Sequence, residues 1–504
     1  MYICTIREES GVCMSIVNLK QIFATDDFIK FTLSGATKTT TNLKIYSPSV
    51  EHTFIKELSI QVFGNSFSIP RVDKETNIDY LTYYFETDFN GPHYVSDIKA
   101  EYNYPYPIIT TKKGLRTADI KSGVRMDSLE DVVAVGSHHD SIDLHISSLV
   151  SAFPASNTTE YIYAGKTYYI NNDTLQTLDT HIKYETDHDV LLTITLLVYA
   201  QEIDDDRMVM IARHPDYDGM GKVSMFNIVT EEGVDYYSAV CNFLAERYTR
   251  EDSLYGRITG FIIGNEASVQ GAWCNAGDKT VQEFSDQYLT SMRIAWQIGS
   301  AYWSNWRVYA SFDNHWNEAF VPQLYLKFYK GREMLEYMID KTLADGDFGW
   351  HIAYHPYTSN LINPAFWNDP DATFDYLNSP VISFKNLVLL QHFVKIPKNM
   401  YKGKPRVIIL AEQGFNGANR PMEYTQAMAY GKAYKVAMNM PEVESFIYHS
   451  QFDHAAEEHG LQLGVWRTET SGSVERDARP IYTLLKYIDQ PAAEKPEKQL
   501  WELF

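Results

Sequence analysis

The sequence predicts an α/β protein, a (β/α)8 TIM barrel preceded by a small antiparallel β-sandwich. Three observations lead there. From about residue 118, apolar strand-like runs alternate with helical segments, making eight units in roughly 370 residues. Before that point the runs are β-branched or aromatic, partly alternating, and separated by turn residues. No GxGxxG follows the first alternating strand, so nothing supports a dinucleotide site on an open doubly wound sheet, the competing architecture.

In the first region, "FIKFTLS" (28–34), "NLKIYS" (42–47), "IKELSIQVF" (55–63) and "YLTYYFETD" (80–88) read as strands, with turns at Gly64-Asn65 and Asn90-Gly91. This gives an accessory sandwich over 1–110. The stretch "YNYPYPIITTKKGLRT" (102–117), with two prolines and a basic cluster, reads as a linker. In the second region, strands are expected near 139, 190, 223, 258, 306, 348, 406 and 443. Helices are expected over 171–185, 233–248, 281–303, 326–344, 384–394 and 424–440. The barrel then spans 111–490, with a tail at 491–504.

Bulk properties narrow the partners. The 504 residues carry a formal charge of −21, which argues against nucleic acid and anionic membrane, because both require a basic face. A neutral ligand fits better. The 36 Tyr and 9 Trp are compatible with a sugar-binding cleft, but by composition alone a large aromatic core is the better account of them. Cys4, Cys13, Cys241 and Cys274 form no CxxC and no disulfide framework, which points to a reducing compartment. "MYICTIREES" shows no basic region followed by an apolar one, so a cytoplasmic location is expected unless a leader was removed. The longest apolar run, "VLLTITLLVYA" (190–200), is too short to span a bilayer.

Active sites of such barrels lie at the C-terminal ends of the strands. The fourth strand, "ITGFII", runs through Gly264 into Asn265 and Glu266, and the seventh ends on Glu412 and Gln413. A carboxylate at the tip of an apolar strand costs free energy unless it is paired or hydrogen-bonded. Two of them on opposite sides of one mouth can approach to about 5 Å, the separation that a retaining glycosidase needs. The fifth strand runs into Asp313, His315 and Trp316, the sixth into His355 and Tyr357, and the eighth into His449, Gln451 and Asp453. His145 ends the first expected strand, and Trp273 and Trp466 follow the fourth and eighth. All of these are candidate substrate contacts.

Other motifs carry less. The stretch "GSHHDSIDLH" (136–145) offers a tempting metal cluster, but alternate residues of a strand face opposite ways. "FDHAAEEHG" (452–460) matches neither HExxH nor HxxEH, and "DYDG" lacks the other ligands of an EF-hand. No GxSxG elbow occurs. No metal and no cofactor are expected.

"IIGNE" and "ILAEQGF" resemble the two signature strands of the large clan (clan A type) of retaining (β/α)8 glycoside hydrolases. With "TKKGL", "EEGVDYY", "YGRITGFIIGNE" and "WHIAYHPY", they resemble a bacterial family of glycoside-hydrolase-like barrels over most of residues 110–470. The resemblance implies an oligo- or polysaccharide substrate, Glu266 as general acid/base and Glu412 as nucleophile. It also implies that Asn265 binds the hydroxyl beside the reacting carbon. A catalytically silent glycan-binding barrel, or a transglycosylase using the same residues, is the alternative.

Overall fold

The computed structural model describes residues 17–117, 126–453, 460–467, 477–491 and 495. Cys4, Cys13, His454, Glu457, Glu458, His459 and most of the 491–504 tail lie outside them.

Eight parallel strands close into a barrel. In order they are Lys113–Leu115, His139–His145, Leu191–Tyr199, Ile258–Ile263, Arg307–Phe312, Trp350–Tyr354, Ile408–Leu410 and Val443–Tyr448, referred to below as strands one to eight. Strand eight pairs with strand one and completes the ring. Two expectations are corrected. Strand one lies in the stretch read as a linker. It has three residues, one of them a lysine, too few and too polar to register as a strand. Conversely, the run near 223 forms only the two-residue strand Val223–Ser224, antiparallel to the end of strand three. Met225, Phe226 and Ile228 of that run are fully buried in the main core, so its apolar character reports a buried loop. The two errors cancel in the count, and the fourth to eighth strands keep their places.

Strand four is buried at every residue because the lumen covers one face and helices the other. Ile262, Tyr309, Ala353, Ile409 and Ala411 form a compact cluster of their own, made of successive strands. At Gly260 a Cβ would stand 2.0 Å from the Arg307 carbonyl oxygen of strand five, so only glycine fits. The helix Val281–Tyr302 opens with a capping box between Thr280 and Glu283.

The "YNYPYP" segment is not a loose connector. Tyr104 and Tyr106 stack on Trp303 at 4.8 and 5.7 Å, and Arg307 lies 3.7 Å over Tyr106. Tyr106 donates to Glu444 at 2.9 Å, and Glu444 pairs with Arg307. These groups plug the N-terminal end of the barrel, the face associated with stability rather than chemistry.

The described N-terminal residues form one five-stranded sheet, not two facing sheets. The expected runs 28–34 and 42–47 are one strand, Phe28–Tyr46, which pairs along its length with Phe54–Pro70. Leu19–Ala24, Tyr84–Glu86 and Asp97–Ile98 complete the sheet. It docks on the helix Val281–Tyr302. There Gln297 donates to the Val95 carbonyl at 3.0 Å, and Arg293 covers the Tyr94 ring at 4.3 Å. A hairpin of Thr158–Tyr163 and Lys166–Asn171 is inserted after strand two. Among the described residues no helix is long and apolar enough to cross a membrane.

Overpacking a sheet core costs about 1–3 kcal/mol. Gly260→Ala should therefore lower the thermal unfolding midpoint. Gly35→Ala, where an added Cβ meets nothing within 4 Å, should leave it nearly unchanged. Equal midpoints for the two variants in differential scanning fluorimetry would contradict this packing.

Candidate active site

The fourth strand ends on a carboxylate because the chain turns sharply there. Gly264 has φ +63° and Glu266 has φ +42°, ψ +60°, a left-handed conformation uncommon for a residue with a side chain. The neighbouring strand holds the turn. The Glu266 N–H donates to the Ser311 hydroxyl at 2.9 Å. The Tyr288 hydroxyl donates to the Ile263 carbonyl at 2.6 Å and accepts from the Ser311 N–H at 2.9 Å.

The Glu266 carboxyl meets His355 Nδ1 at 3.0 Å. Burial pushes the Glu266 pKa up. His355 opposes that, and the charges of Asp313 and Glu412 add to it, leaving the group above the usual carboxylate range. His355 is itself buried, which alone would lower its pKa. The carboxylates of Glu412 and Glu266 outweigh burial and raise it.

Glu412 has the opposite surroundings. Its Oε2 pairs with Arg116 at 2.8 Å, and its Oε1 accepts from the Tyr357 hydroxyl at 3.1 Å. Burial would raise its pKa, but the charges of His355, His449 and Arg116, with the Tyr357 hydrogen bond, bring it down to about 2. Arg116 also pairs with Asp143 of strand two, which fixes its guanidinium between two carboxylates.

Beyond strand five, Asp313 accepts from the Ser268 hydroxyl at 2.6 Å and pairs with His315 Nδ1. Burial would lower the His315 pKa, and its bond to Asp313 raises it instead. The His315 ring contacts the exposed Phe320 edge-on at 5.3 Å. Glu266 and Glu412 thus interact through space and through His355, with Asp313, His315, Tyr357, His449 and Arg116 around them. Asn265, half-buried, precedes Glu266 on the same turn.

Several other candidates have structural surroundings. Trp316 is fully buried. Its indole N–H donates to the Tyr376 carbonyl at 3.2 Å and its ring meets Tyr376 and Phe393 edge-on, so no face is open for a sugar. Trp466 donates to Asp131 at 2.9 Å and packs on Tyr482 at 4.4 Å, anchoring its loop. Asp453 forms a two-pronged buried pair with Arg479, both bonds 2.8 Å. Gln451 is buried and donates to the Ser128 carbonyl at 2.7 Å. His145, which ends strand two rather than strand one, accepts from the Tyr199 N–H at 3.2 Å and meets the Ser147 hydroxyl at 3.0 Å. Gln413 is buried and donates to the Gly414 carbonyl at 2.7 Å. Trp273 is half-buried beside Val269, Ala319 and Phe328.

Sequence reasoning missed Arg116 and Asp143. Arg116 follows strand one directly, so the loss of that strand to a linker hid it. Asp143 shares the lumen-facing parity of His139 and His145 in "HDSIDLH", a signal that was present.

Among solved structures, the chain is similar to a family 1 β-glucosidase from Thermotoga maritima, at 12% identity over 72% of this chain and 85% of that one, with a TM-score of 0.43. A glucosidase from Croceicoccus marinus aligns at 9% identity over 75% and 67%, with a TM-score of 0.45. A calcium-binding mutant of Bacteroides uniformis beta-glucuronidase 2 aligns at 10% identity over 94% of this chain but 49% of that one, with a TM-score of 0.42. No curated protein matches the chain. Residues 105–504 match the group described as a family of unknown function, DUF5722, and the chain belongs to that family.

Proposed function

We propose that the protein is a retaining glycoside hydrolase acting on an oligo- or polysaccharide, with Glu266 as general acid/base and Glu412 as nucleophile. One observation carries this reading: two carboxyl groups share one barrel mouth, Glu412 held by Arg116 and Tyr357 and Glu266 by His355, so that their pKa values are driven in opposite directions. That division of labour is what double displacement requires.

In the first step a Glu412 oxygen attacks the anomeric carbon. The bond to the leaving oxygen breaks, and that oxygen takes the proton of Glu266. Arg116 and Tyr357 hold Glu412 ionised and aimed. The glycosyl ester that forms is uncharged, so the like charge facing Glu266 disappears and its pKa falls. Glu266 then accepts a proton from water, which attacks the same carbon and returns Glu412 as a carboxylate. His355 touches one carboxyl and acts electrostatically on the other, so it responds to both steps. Asn265, one residue before the acid, is suited to bind the hydroxyl next to the reacting carbon.

A panel of nitrophenyl glycosides and polysaccharides identifies the substrate, and proton NMR of the first-formed product reads its configuration. Retention is expected, and inversion would exclude the nucleophilic role of Glu412. Glu412→Ala should reduce turnover by roughly three orders of magnitude or more, with azide giving a product of inverted configuration. Glu266→Ala should spare the first step for a nitrophenol leaving group and stall natural linkages. Azide should rescue it with retained configuration. The reverse pattern would exchange the two roles.

The pH dependence of kcat/KM should be bell-shaped. The acid limb marks protonation of Glu412 and the alkaline limb the loss of the Glu266 proton. His355 lowers both pKa values, so His355→Asn should move both limbs to higher pH. Arg116 acts on Glu412, so Arg116→Gln should move chiefly the acid limb upward. Limbs that stay in place in both variants would contradict this electrostatic assignment.

A further inference from the structure

A second cluster of titratable groups lies away from the barrel mouth, between strand two and the helix Asn172–Asp187. It consists of Asp140, His181 and Glu185. Their ligand atoms all lie within 4.8 Å of one another, and each residue is at most 2% exposed. Position explains the convergence. Asp140 has the opposite strand parity to Asp143, so it faces the helix layer while Asp143 faces the lumen. His181 and Glu185 are four residues apart and share one face of the helix.

The two distances to the imidazole are close to those of a coordination sphere. His181 Nε2 is 3.3 Å from Glu185 Oε1 and 3.7 Å from Asp140 Oδ2. A tetrahedral zinc ion with bonds of about 2.0–2.2 Å holds its donor atoms roughly 3.3–3.6 Å apart. The Thr117 hydroxyl is close by, 2.9 Å from Asp140 Oδ2 and 3.3 Å from His181 Nε2.

An independent feature points to a ligand. Glu185 is completely buried, yet neither carboxylate oxygen has a hydrogen-bond partner. The His181 imidazole lies at ion-pair distance from Oε1, 3.3 Å, but outside hydrogen-bond geometry. A buried carboxylate without a donor is costly, and a second carboxylate opposite it adds repulsion. A divalent cation removes both costs: two carboxylates, a neutral imidazole and a 2+ ion sum to zero charge.

We propose that Asp140, His181 and Glu185 bind a divalent first-row transition-metal ion, with zinc the closest match to this donor set, as a structural site. It departs from the expectation of no metal. Of the histidine- and aspartate-rich stretch 136–145 only Asp140 takes part, and the other two ligands come from the following helix. The site also bears on the barrel mouth. Asp140 accepts from the N–H of Thr117 at 3.3 Å as well as from its hydroxyl. Thr117 directly follows Arg116, the partner of Glu412. The ion would fix the end of strand one and, through it, the Arg116 guanidinium.

The test uses the full chain, stripped with chelator, desalted and then titrated with zinc alone. The expected result is one equivalent retained after a second desalting, measured by inductively coupled plasma mass spectrometry, with a higher thermal unfolding midpoint. Glu185→Gln and His181→Ala should weaken zinc binding by roughly tenfold or more and abolish the midpoint shift. Wild-type protein that retains well under one equivalent would overturn the proposal. So would a Glu185→Gln protein that binds as the wild type does, because the zinc would then sit elsewhere. If neither variant folds, anomalous scattering at the zinc edge from wild-type crystals decides. A peak between the three side chains supports the site, and its absence there rejects it.

Discussion

Closure of the sheet between strands eight and one is the constraint on which the candidate site depends. The seam is short: Phe446, Ile447 and Tyr448 face Lys113, Gly114 and Leu115. It is also tight, since a Cβ at Gly114 would come within 2.9 Å of the His139 carbonyl and of Ile447. Lys113 is buried in it, with its ammonium donating to the Leu485 carbonyl at 2.9 Å and facing Asp489 at 3.5 Å. The helix Pro480–Tyr487 is thereby tied to the first barrel strand. Because the seam closes, Arg116 emerges at the mouth between Asp143 of strand two and Glu412 just beyond strand seven.

The mouth shows how burial and neighbours separate two identical functional groups. Both glutamates lose water, which alone would raise both pKa values. Glu412 has a guanidinium and a phenol hydroxyl within hydrogen-bond distance, and two histidines whose charges lower its pKa. Glu266 has one histidine and faces two carboxylates. The difference lies in the count and sign of close charges, not in depth. The left-handed turn at Glu266 is part of the same arrangement, because it is held by the backbone and hydroxyl groups of strand five.

The opposite end of the barrel is built for stability. Tyr106, Glu444, Arg307 and Tyr309 fill it, and the aromatic connector carries the chain from the N-terminal sheet along its base. The sheet grips the long helix Val281–Tyr302, whose other side packs on strands four and five. The accessory sheet and the two strands that present Glu266 and Asp313 therefore share one helix as their support.

Long, strongly patterned elements were legible in the sequence. Strand four is a continuous apolar run because both of its faces are dry, and that reads directly. So do the long helix Val281–Tyr302 and the carboxylates at the ends of strands four and seven. Strand one was not legible, because three residues that include a buried lysine carry no periodic signal, and only closure with strand eight makes them a strand. The run at 223 misled for the complementary reason: hydrophobicity reports burial, and loops can be buried. Trp316 and Trp466 look like sugar platforms in a sequence, but whether an indole faces a cleft or a core depends on what packs over it. The meeting of Asp140 with His181 and Glu185 rests on strand parity and helix phase together, which fix directions but not neighbours. By itself the sequence determined the local repeat, the barrel class and the place of the two glutamates at the strand ends, because these follow from short-range patterns. Only the tertiary structure decided which charges stand beside each glutamate, since those come from residues as far apart as Arg116 and Glu412 and are joined by closure of the ring.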